Sequence, residues 1–182
     1  MENFSEEEIK NLMKEEVFKQ CQKAIKDSEI PVGCIFIHIP SKTILYKSHN
    51  LTNKTRNASS HCEINCINYL EKNIPIKINN ILYYDLKKLM NESALFVSCE
   101  PCIMCAYALS LINIKEVYFG CSNDKFGGNG SIVSIHKFNL WTYKSEGGFL
   151  KDQAIQYLRQ FYSVGNKKAP ENKRQRKLIS EK

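Results

Sequence analysis

The hydrophobic and polar positions of the chain divide it into helical and extended segments. Ser5 and Glu8 have the S-x-x-E spacing of a capping box, and apolar residues recur at helical spacing from there to Ile25, which predicts a long first helix. The segment PVGCIFIHI that follows is typical of a buried strand. A turn at 40–42 and the segment TILYKSH then predict a second strand that returns beside the first.

Helix and strand alternate in the rest of the chain. Ser60 is a candidate N-cap for a second helix with the sequence HCEINCINYLEK, and an irregular insertion at 73–93 follows, to which the pattern assigns no role. SALFVS predicts a short buried strand, and CEPCIMCAYALSLI predicts a third helix with Pro101 in its first turn. KEVYFGC predicts another strand, CSNDKFGGNGS a glycine-rich loop, and KDQAIQYLRQFY an amphipathic closing helix that stops near Gly165. This order predicts an α/β fold in which helices cover a mixed sheet, as one three-layer α/β/α domain.

Composition places the protein among ordinary intracellular domains. The 182 residues, 43% hydrophobic and 25% charged, suit one compact domain with its own core. The acidic start MENFSEEEIKN has no feature of a signal peptide, and the longest apolar run is too short to cross a bilayer. We therefore expect no membrane association and an intracellular location, in the cytoplasm and/or nucleus. The eight cysteines should stay reduced there, which favours metal ligands or core residues over disulfides.

The positive charge is concentrated at the C-terminal end. The net charge of the whole chain is +7, and residues 166–182 hold seven Lys or Arg and two Glu, a net +5. The sequence therefore predicts a domain at 1–165 and a basic, flexible tail at 166–182. Such a tail can be merely solvated, or it can bind nucleic acid or another acidic partner. Its candidate RNA-binding residues are Lys167, Lys168, Lys173, Arg174, Arg176 and Lys177.

Two cysteine-rich runs, SHCEINC and SCEPCIMCA, contain the candidate metal ligands. Cys102 and Cys105 lie three apart at the start of a predicted helix, so both thiolates can face one point, and the helix N-terminus favours the thiolate form. With Cys62 and Cys66 they would form a closed four-cysteine zinc site that only stabilises the fold. With Cys99 they resemble part of an iron–sulfur binding run instead.

A third ligand set joins His61 to Cys102 and Cys105 and leaves the fourth zinc position open to water. Glu63 favours this set, because a carboxylate beside a zinc site can move protons between water and substrate. The pair Ser60 and Glu63 also has capping-box spacing, however, and a cap needs no catalysis. Since residues two apart do not share a helix face, His61 and Glu63 can converge only if His61 lies at the irregular helix start.

The combined pattern is more specific than either half. His61-x-Glu63 followed by Pro101-Cys102-x-x-Cys105 is the signature of zinc-dependent nucleobase deaminases. Each half lies at the start of its own predicted helix, which makes the pair a strong indication.

Beyond this signature, the chain resembles the catalytic subunits of the eukaryotic heterodimeric tRNA adenosine deaminases, and more distantly their bacterial homodimeric relatives. The matching segments are EIPVGC at Glu29–Cys34, the two motifs above with EPCIMCA, VYFGCSNDKFGGNGS at Val117–Ser131, and the closing helix with its FY ending followed by AP and a basic tail. The FGG-x-GS loop and the tail favour this family over deaminases of free cytidine or deoxycytidylate.

The resemblance implies a cytidine deaminase-like fold with a mixed, mostly five-stranded sheet, and hydrolytic conversion of adenosine to inosine at the wobble position of tRNA anticodons. It implies Zn²⁺ held by His61, Cys102 and Cys105, with Glu63 as proton shuttle and Asn50, in the segment KSHN, as a contact to the target nucleoside. The implied partners are tRNA and a related, catalytically degenerate deaminase-fold subunit that forms a heterodimer.

Cys62 departs from the family, which usually has Ala at that position, and introduces a possible competing ligand. Two other functions remain open at the level of sequence. One is a cytosine-directed nucleoside or nucleotide deaminase with the same zinc chemistry, since pocket shape decides the base. The other is a non-catalytic zinc module that binds RNA or a partner, a hypothesis that the presence of Glu63 disfavours.

Overall fold

The computed structural model describes residues 3–138 and 141–164. Its helices and strands follow in this order: α1 (Glu6–Leu12), a π-helical segment (Met13–Val17), α2 (Phe18–Lys26), β1 (Gly33–His38), β2 (Thr43–His49), α3 (Thr52–Thr55), α4 (Cys62–Lys72), β3 (Ile76–Ile78), β4 (Ile81–Tyr83), α5 (Leu86–Met90), β5 (Ser93–Cys99), α6 (Ile103–Leu111), β6 (Glu116–Cys121), α7 (Ile135–Phe138), β7 (Lys144–Gly147) and α8 (Lys151–Val164). Within this part of the chain, no helix combines the length and apolarity that crossing a membrane requires.

The long first helix is confirmed, and α1, the π-helical segment and α2 form it without a break. Its predicted capping box is also confirmed. The Ser5 hydroxyl accepts a hydrogen bond from the backbone N–H of Glu8, and the Glu8 carboxylate accepts one from the N–H of Ser5. Two of the otherwise unpaired amide groups at the helix start are thereby satisfied.

The main sheet has five strands in the order β2-β1-β5-β6-β7. Strand β1 pairs antiparallel with both β2 and β5, whereas β5, β6 and β7 run parallel to one another. The sheet is therefore mixed, as predicted. The carboxyl ends of β5 and β6 lie at the same edge, where α/β folds place their sites.

Helices cover both faces of this sheet, which confirms the three-layer arrangement. Successive residues of β1 point to opposite faces: Phe36 belongs to one buried cluster, and Ile35 and Ile37 belong to the other. The first cluster includes residues of α4, α5 and α6, and the second includes residues of the first helix and α8.

Gly33 allows the first helix to approach the sheet closely. A Cβ atom added at this position would lie 2.5 Å from the Cβ of Gln20 and 2.8 Å from the carbonyl oxygen of Val17. Because carbon atoms in contact are normally about 3.5–4.0 Å apart, any side chain here would push α2 away from β1.

The insertion at 73–93, to which sequence assigned no role, forms the β3–β4 hairpin and helix α5. The Tyr83 hydroxyl donates to the Glu92 carboxylate at 2.5 Å and lies 2.9 Å from Nε2 of His38, at the end of β1. Leu89 and Met90 of α5 are fully buried in the core. The insertion therefore covers the core at the edge of the sheet opposite to the carboxyl ends of β5 and β6.

Candidate active site

His61 is the N-cap residue of α4, so it lies before the first helical turn. Its backbone is extended, with φ −71° and ψ 154°. This is the irregular helix start that convergence with Glu63 requires. The prediction that Ser60 caps this helix is wrong, because the Ser60 hydroxyl instead accepts a hydrogen bond from the Thr55 hydroxyl at 2.9 Å.

Cys102 occupies the equivalent position at the start of α6. It is the N-cap residue, with φ −67° and ψ 167°, and Cys105 lies within the first turn. Pro101 consequently precedes the N-cap and is not part of the first turn, which corrects the predicted start of this helix. Both cysteines follow the carboxyl end of β5. The three side chains therefore come from two helix N-termini, His61 from α4 and Cys102 and Cys105 from α6.

The three side chains form a group that fits a zinc ion. Nδ1 of His61 lies 3.5 Å from Sγ of Cys102 and 3.5 Å from Sγ of Cys105, and the three ligand atoms are all within 4.8 Å of one another. Zinc bonds of about 2.0–2.1 Å to nitrogen and 2.3 Å to sulfur, at a tetrahedral angle, separate such ligands by about 3.6 Å. One His and two Cys are also the donor set of a zinc site that keeps an open position. The predicted zinc-binding site is therefore assembled in the structure.

The pKa values of Cys102 and Cys105 are shifted in opposite directions. The hydrogen bond from the Cys105 thiol, with a second from His61, lowers the pKa of Cys102 to about 4. The same sulfur–sulfur contact raises the pKa of Cys105. Thiolate is the form of cysteine that binds zinc, so this cluster favours one thiolate before any ion binds.

Glu63 is buried in the first turn of α4 and lines the same cleft as His61 and Cys102. Its Oε2 atom accepts a hydrogen bond from Sγ of Cys62 at 3.1 Å, and burial raises its pKa. The alternative interpretation of Glu63 as half of a capping box is not supported, because α4 has no side-chain hydrogen bond at its N-cap.

Asn50 connects the end of β2 to this cluster. Its side chain is buried, lines the cleft, and accepts the backbone N–H of Cys62 on Oδ1 at 2.9 Å. Because the carbonyl oxygen of the amide is engaged, the remaining polar group of the side chain is the Nδ2 donor.

The rival ligand sets are not assembled. Cys62 and Cys66 are buried in the hydrophobic core, and Sγ of Cys66 lies 3.6 Å from Sγ of Cys34. Cys99 pairs in register with Cys121 of the neighbouring strand. Neither the closed four-cysteine site nor the iron–sulfur run therefore forms in the part of the chain that the structure describes.

The cleft has a volume of about 490 Å³ and lies at the carboxyl edge of the sheet. It is lined by Ile30, Val32, Asn50, His61, Glu63, Cys99, Glu100, Cys102, Ser122, Asn123, Asp124, Lys125, Phe126, Leu158 and Tyr162. A volume of this size is in the range of small-molecule and cofactor sites.

Sequence reasoning missed Glu100, which fixes the loop beside the cleft. Its buried carboxylate accepts hydrogen bonds from the backbone N–H groups of Asn123, Asn129 and Ser131 at 2.9–3.0 Å, and from the Ser131 hydroxyl. The only signal was a carboxylate directly before the Pro-Cys motif. Nothing in the sequence indicates that it would turn towards a loop more than 20 residues later.

The predicted RNA-binding residues of the tail lie outside the described residues. The same holds for Gly165 and for the proposed boundary between the domain and the tail.

Comparison with known proteins gives concordant results. A family model described as the cytidine and deoxycytidylate deaminase zinc-binding region matches residues 6–121, which include all three ligands and Glu63. The tRNA-specific adenosine deaminase 2 of Xenopus tropicalis is 34% identical over 179 residues, which cover 94% of this chain and 98% of that protein. The tRNA-specific adenosine deaminase subunit tad2 of Schizosaccharomyces pombe is 34% identical over 167 residues, 90% of this chain and 40% of the relative.

The fold also matches a solved structure. A protein from a study of A-to-I editing by tRNA:A34 deaminases at the wobble position superposes with a TM-score of 0.66 at 20% identity, covering 80% of this chain and 98% of that one. At this identity the likeness supports the fold.

Proposed function

The chain belongs to the cytidine and deoxycytidylate deaminase family and, within it, to the tRNA-specific adenosine deaminases, and we propose that it hydrolyses adenosine to inosine at the wobble position of tRNA anticodons. The observation that carries this proposal is the convergence of His61, Cys102 and Cys105 on a cleft that Glu63 and Asn50 also line. The relatives supply the substrate class, and the cleft supplies the groups that the reaction needs.

His61, Cys102 and Cys105 would hold the zinc ion. Bound zinc lowers the pKa of water from 15.7 to about 7 and so supplies a nucleophile at neutral pH for attack on C6 of adenine. Cys105 is buried, and His61 and Cys102 are half-buried, so the group of ligands is only partly exposed to solvent.

Glu63 is proposed as the proton shuttle. Its carboxylate would take one proton from the attacking water and give it to N1 of the adenine ring. It would then take the second proton, from the hydroxyl now bonded to C6, and give it to the amino group, which leaves as ammonia. Such general acid–base catalysis contributes about 10²–10⁴-fold to rate. The support from structure is the position of Glu63: it is buried, lines the cleft with two of the ligands, and is held by Cys62 instead of capping α4.

Asn50 is proposed as a contact to the target nucleoside. With Oδ1 engaged by Cys62, its Nδ2 group can donate to an acceptor atom of the ribose or the base. Because this hydrogen bond also ties Asn50 to the start of α4, the substrate contact and the Glu63 helix are held in one network.

We also propose a partner and a location. The S. pombe relative is named a subunit, which supports assembly of this chain with a second protein. We propose that the partner is a related, catalytically degenerate deaminase-fold chain and that the two form a heterodimer on tRNA. Residues 1–165 would form the catalytic domain and 166–182 a basic tail. Cysteine ligands persist in reducing compartments, which supports the cytoplasm and/or nucleus.

One experiment tests the function and its rivals together. The purified full-length protein, with and without the candidate partner subunit, is incubated with tRNA that carries adenosine at the wobble position, and nucleosides are scored for inosine and uridine. Inosine in the RNA supports the proposal. An increase in uridine at the expense of cytidine would show a cytosine-directed deaminase, and RNA binding without either product would show a non-catalytic zinc module.

A further inference from the structure

Phe126 is an exposed aromatic side chain at the mouth of the cleft. It lines the cleft together with His61 and Glu63, yet 63% of its surface is exposed. Tyr162, on α8, lines the same cleft and is 47% exposed. We call these two residues the aromatic rim. Neither is part of the zinc or proton-transfer groups described above.

The backbone of Phe126 is held on both sides. Its N–H donates to Oδ1 of Asn123 at 3.1 Å, and its carbonyl accepts the N–H of Ile103 at 2.8 Å, in the first turn of the helix that carries the zinc ligands. Glu100 fixes the same loop through hydrogen bonds to residues on either side, including Asn123 and Asn129. The backbone of Phe126 is therefore held at a fixed place relative to the metal site, and most of its side chain is exposed to a ligand.

An exposed aromatic ring on a held backbone beside a nucleobase pocket is suited to stacking. Enzymes that act on a base take that base out of the stack, and the neighbouring bases then lose a stacking partner. Proteins that recognise unpaired RNA supply aromatic side chains for such bases. A backbone that is already held in place reduces the ordering cost that a mobile loop would incur on binding. Lys125, directly before Phe126, is exposed and places a positive charge beside the ring for the phosphate backbone.

We propose that the aromatic rim, chiefly Phe126, is a stacking subsite for an unpaired nucleobase adjacent to the target adenosine. The inference rests on the proposed function, since it supposes that the cleft takes its adenosine from an RNA loop. It assigns to this loop a contact with the neighbours of the edited nucleotide, and so a part in distinguishing tRNA loops from free adenosine.

The test uses the full-length zinc-loaded protein assembled with its partner subunit, and an anticodon stem-loop RNA. In two versions of the RNA, 2-aminopurine replaces the nucleotide on the 5′ or the 3′ side of the target adenosine, and its fluorescence reports stacking. The variants are Phe126→Ala, Phe126→Leu and Phe126→Trp. Tyr84→Ala and Ile132→Ala are matched controls, because these residues are 74% and 52% exposed and do not line the cleft.

Phe126→Ala should raise the KM for the stem-loop by about 5- to 150-fold, which corresponds to the loss of one base–aromatic stack. Its kcat should change little, because binding alone is removed. Fluorescence quenching should decrease for at least one of the two RNAs. Phe126→Trp should restore both readouts, Phe126→Leu should restore neither, and both controls should behave as wild type.

Several results would overturn the subsite. Unchanged KM and quenching in Phe126→Ala would do so, as would full restoration by Phe126→Leu, which would indicate apolar coverage instead of stacking. Dissociation of the heterodimer on size-exclusion chromatography of Phe126→Ala would show that the partner covers this ring. Absence of inosine from the wild-type enzyme would instead overturn the proposed function, so the two failures are distinguishable.

Discussion

At the scale of single residues, Cys62 links the two polar groups of the site that do not bind metal. Its backbone N–H donates to Asn50, and its Sγ donates to Glu63. The Cys62 thiol is not part of the group of ligand atoms within 4.8 Å of one another, which belong to His61, Cys102 and Cys105. The concern that Cys62 competes for zinc is not supported by this arrangement.

This geometry leads to a prediction about metal content. Cys102→Ser should abolish tight zinc binding, because serine replaces a thiolate by a poor zinc ligand. Cys62→Ser and Cys66→Ser should each leave about one zinc per chain, as measured by atomic absorption on the purified proteins. Loss of zinc in Cys62→Ser and Cys66→Ser, as well as in Cys102→Ser, would restore the closed four-cysteine site and remove the basis for catalysis.

Glu63→Gln separates the catalytic role from a structural one. The amide has the same shape but cannot shuttle protons, so inosine formation should fall by about 10²–10⁴-fold, while zinc content and melting temperature stay close to wild type. Turnover and thermal unfolding are measured on the same preparation. A cap residue would behave in the opposite way, with activity spared and stability reduced by about 0.5–2 kcal/mol.

Residue roles that depend on local spacing were predictable from sequence, and those that depend on tertiary placement were not. His61, Glu63, Cys102 and Cys105 were identified because their types and spacing belong to one signature. Glu100 lies directly before the second half of that signature and was not assigned a role. Its partners lie in a distant loop, and no periodicity connects a carboxylate to backbone amides there.

At the scale of elements, the site is made where the N-termini of α4 and α6 meet. Both helices begin with a metal ligand in the N-cap position and an extended backbone. The partial positive charge of each N-terminus favours thiolate on the Cys residues and negative charge nearby. A regular helix could not present His61 and Glu63 to one point, so the break at the helix start is part of the site.

Glu100 provides a test of the loop that completes this arrangement. In Glu100→Gln, an –NH₂ group replaces one carboxylate oxygen. This group faces backbone N–H donors, and it cannot accept hydrogen bonds from them. Loss of hydrogen bonds to a charged group costs about 1.5–3 kcal/mol each, so the melting temperature should fall. Amide hydrogen exchange at 123–131 should accelerate more than exchange in β1. Uniform acceleration across the sheet would show instead that Glu100 supports the whole fold.

Strands with continuous apolar runs were predicted, whereas β7 and the insertion hairpin were not. Strand β7 has the sequence KSEG and lies at the edge of the sheet, so its side chains carry no hydrophobic pattern. Its place is fixed by backbone pairing with β6 and by Gly147, where an added Cβ would lie 2.1 Å from the Phe119 ring. Strands β3 and β4 have three residues each, too few for a periodic signal.

At the scale of the whole molecule, the proposed partner leads to a prediction about assembly. The isolated chain should deaminate tRNA poorly, and addition of the deaminase-fold subunit should raise the rate, because a second chain would complete the RNA-binding surface. The comparison requires size-exclusion fractions assayed with one tRNA. Full activity in a fraction that contains this chain alone, as monomer or homodimer, would contradict the heterodimer.

The distribution of charge leads to the final prediction, which concerns the tail at 166–182. Of the net charge of +7, the tail carries +5, so only about +2 remains for the domain. If the tail binds tRNA through phosphates, it carries no base information, and its deletion should weaken binding of all tRNAs about equally. The apparent KM should rise while kcat at saturation stays nearly intact, because uniform binding is removed.

Salt dependence distinguishes this role from a solubilising or targeting tail. Each phosphate that a basic side chain neutralises releases counterions, so log K should fall by about 0.9 per phosphate for each tenfold rise in salt on duplex nucleic acid, and by about 0.7 on single strands. The slope should flatten when residues 166–182 are removed, because phosphates are then no longer neutralised by Lys167, Lys168, Lys173, Arg174, Arg176 and Lys177. A matched variant with these six residues changed to Gln keeps the tail length and should behave as the truncation does. An unchanged KM and an unchanged slope in both variants would show that tRNA binding depends on the domain and its partner, and that the charge of the tail serves another purpose.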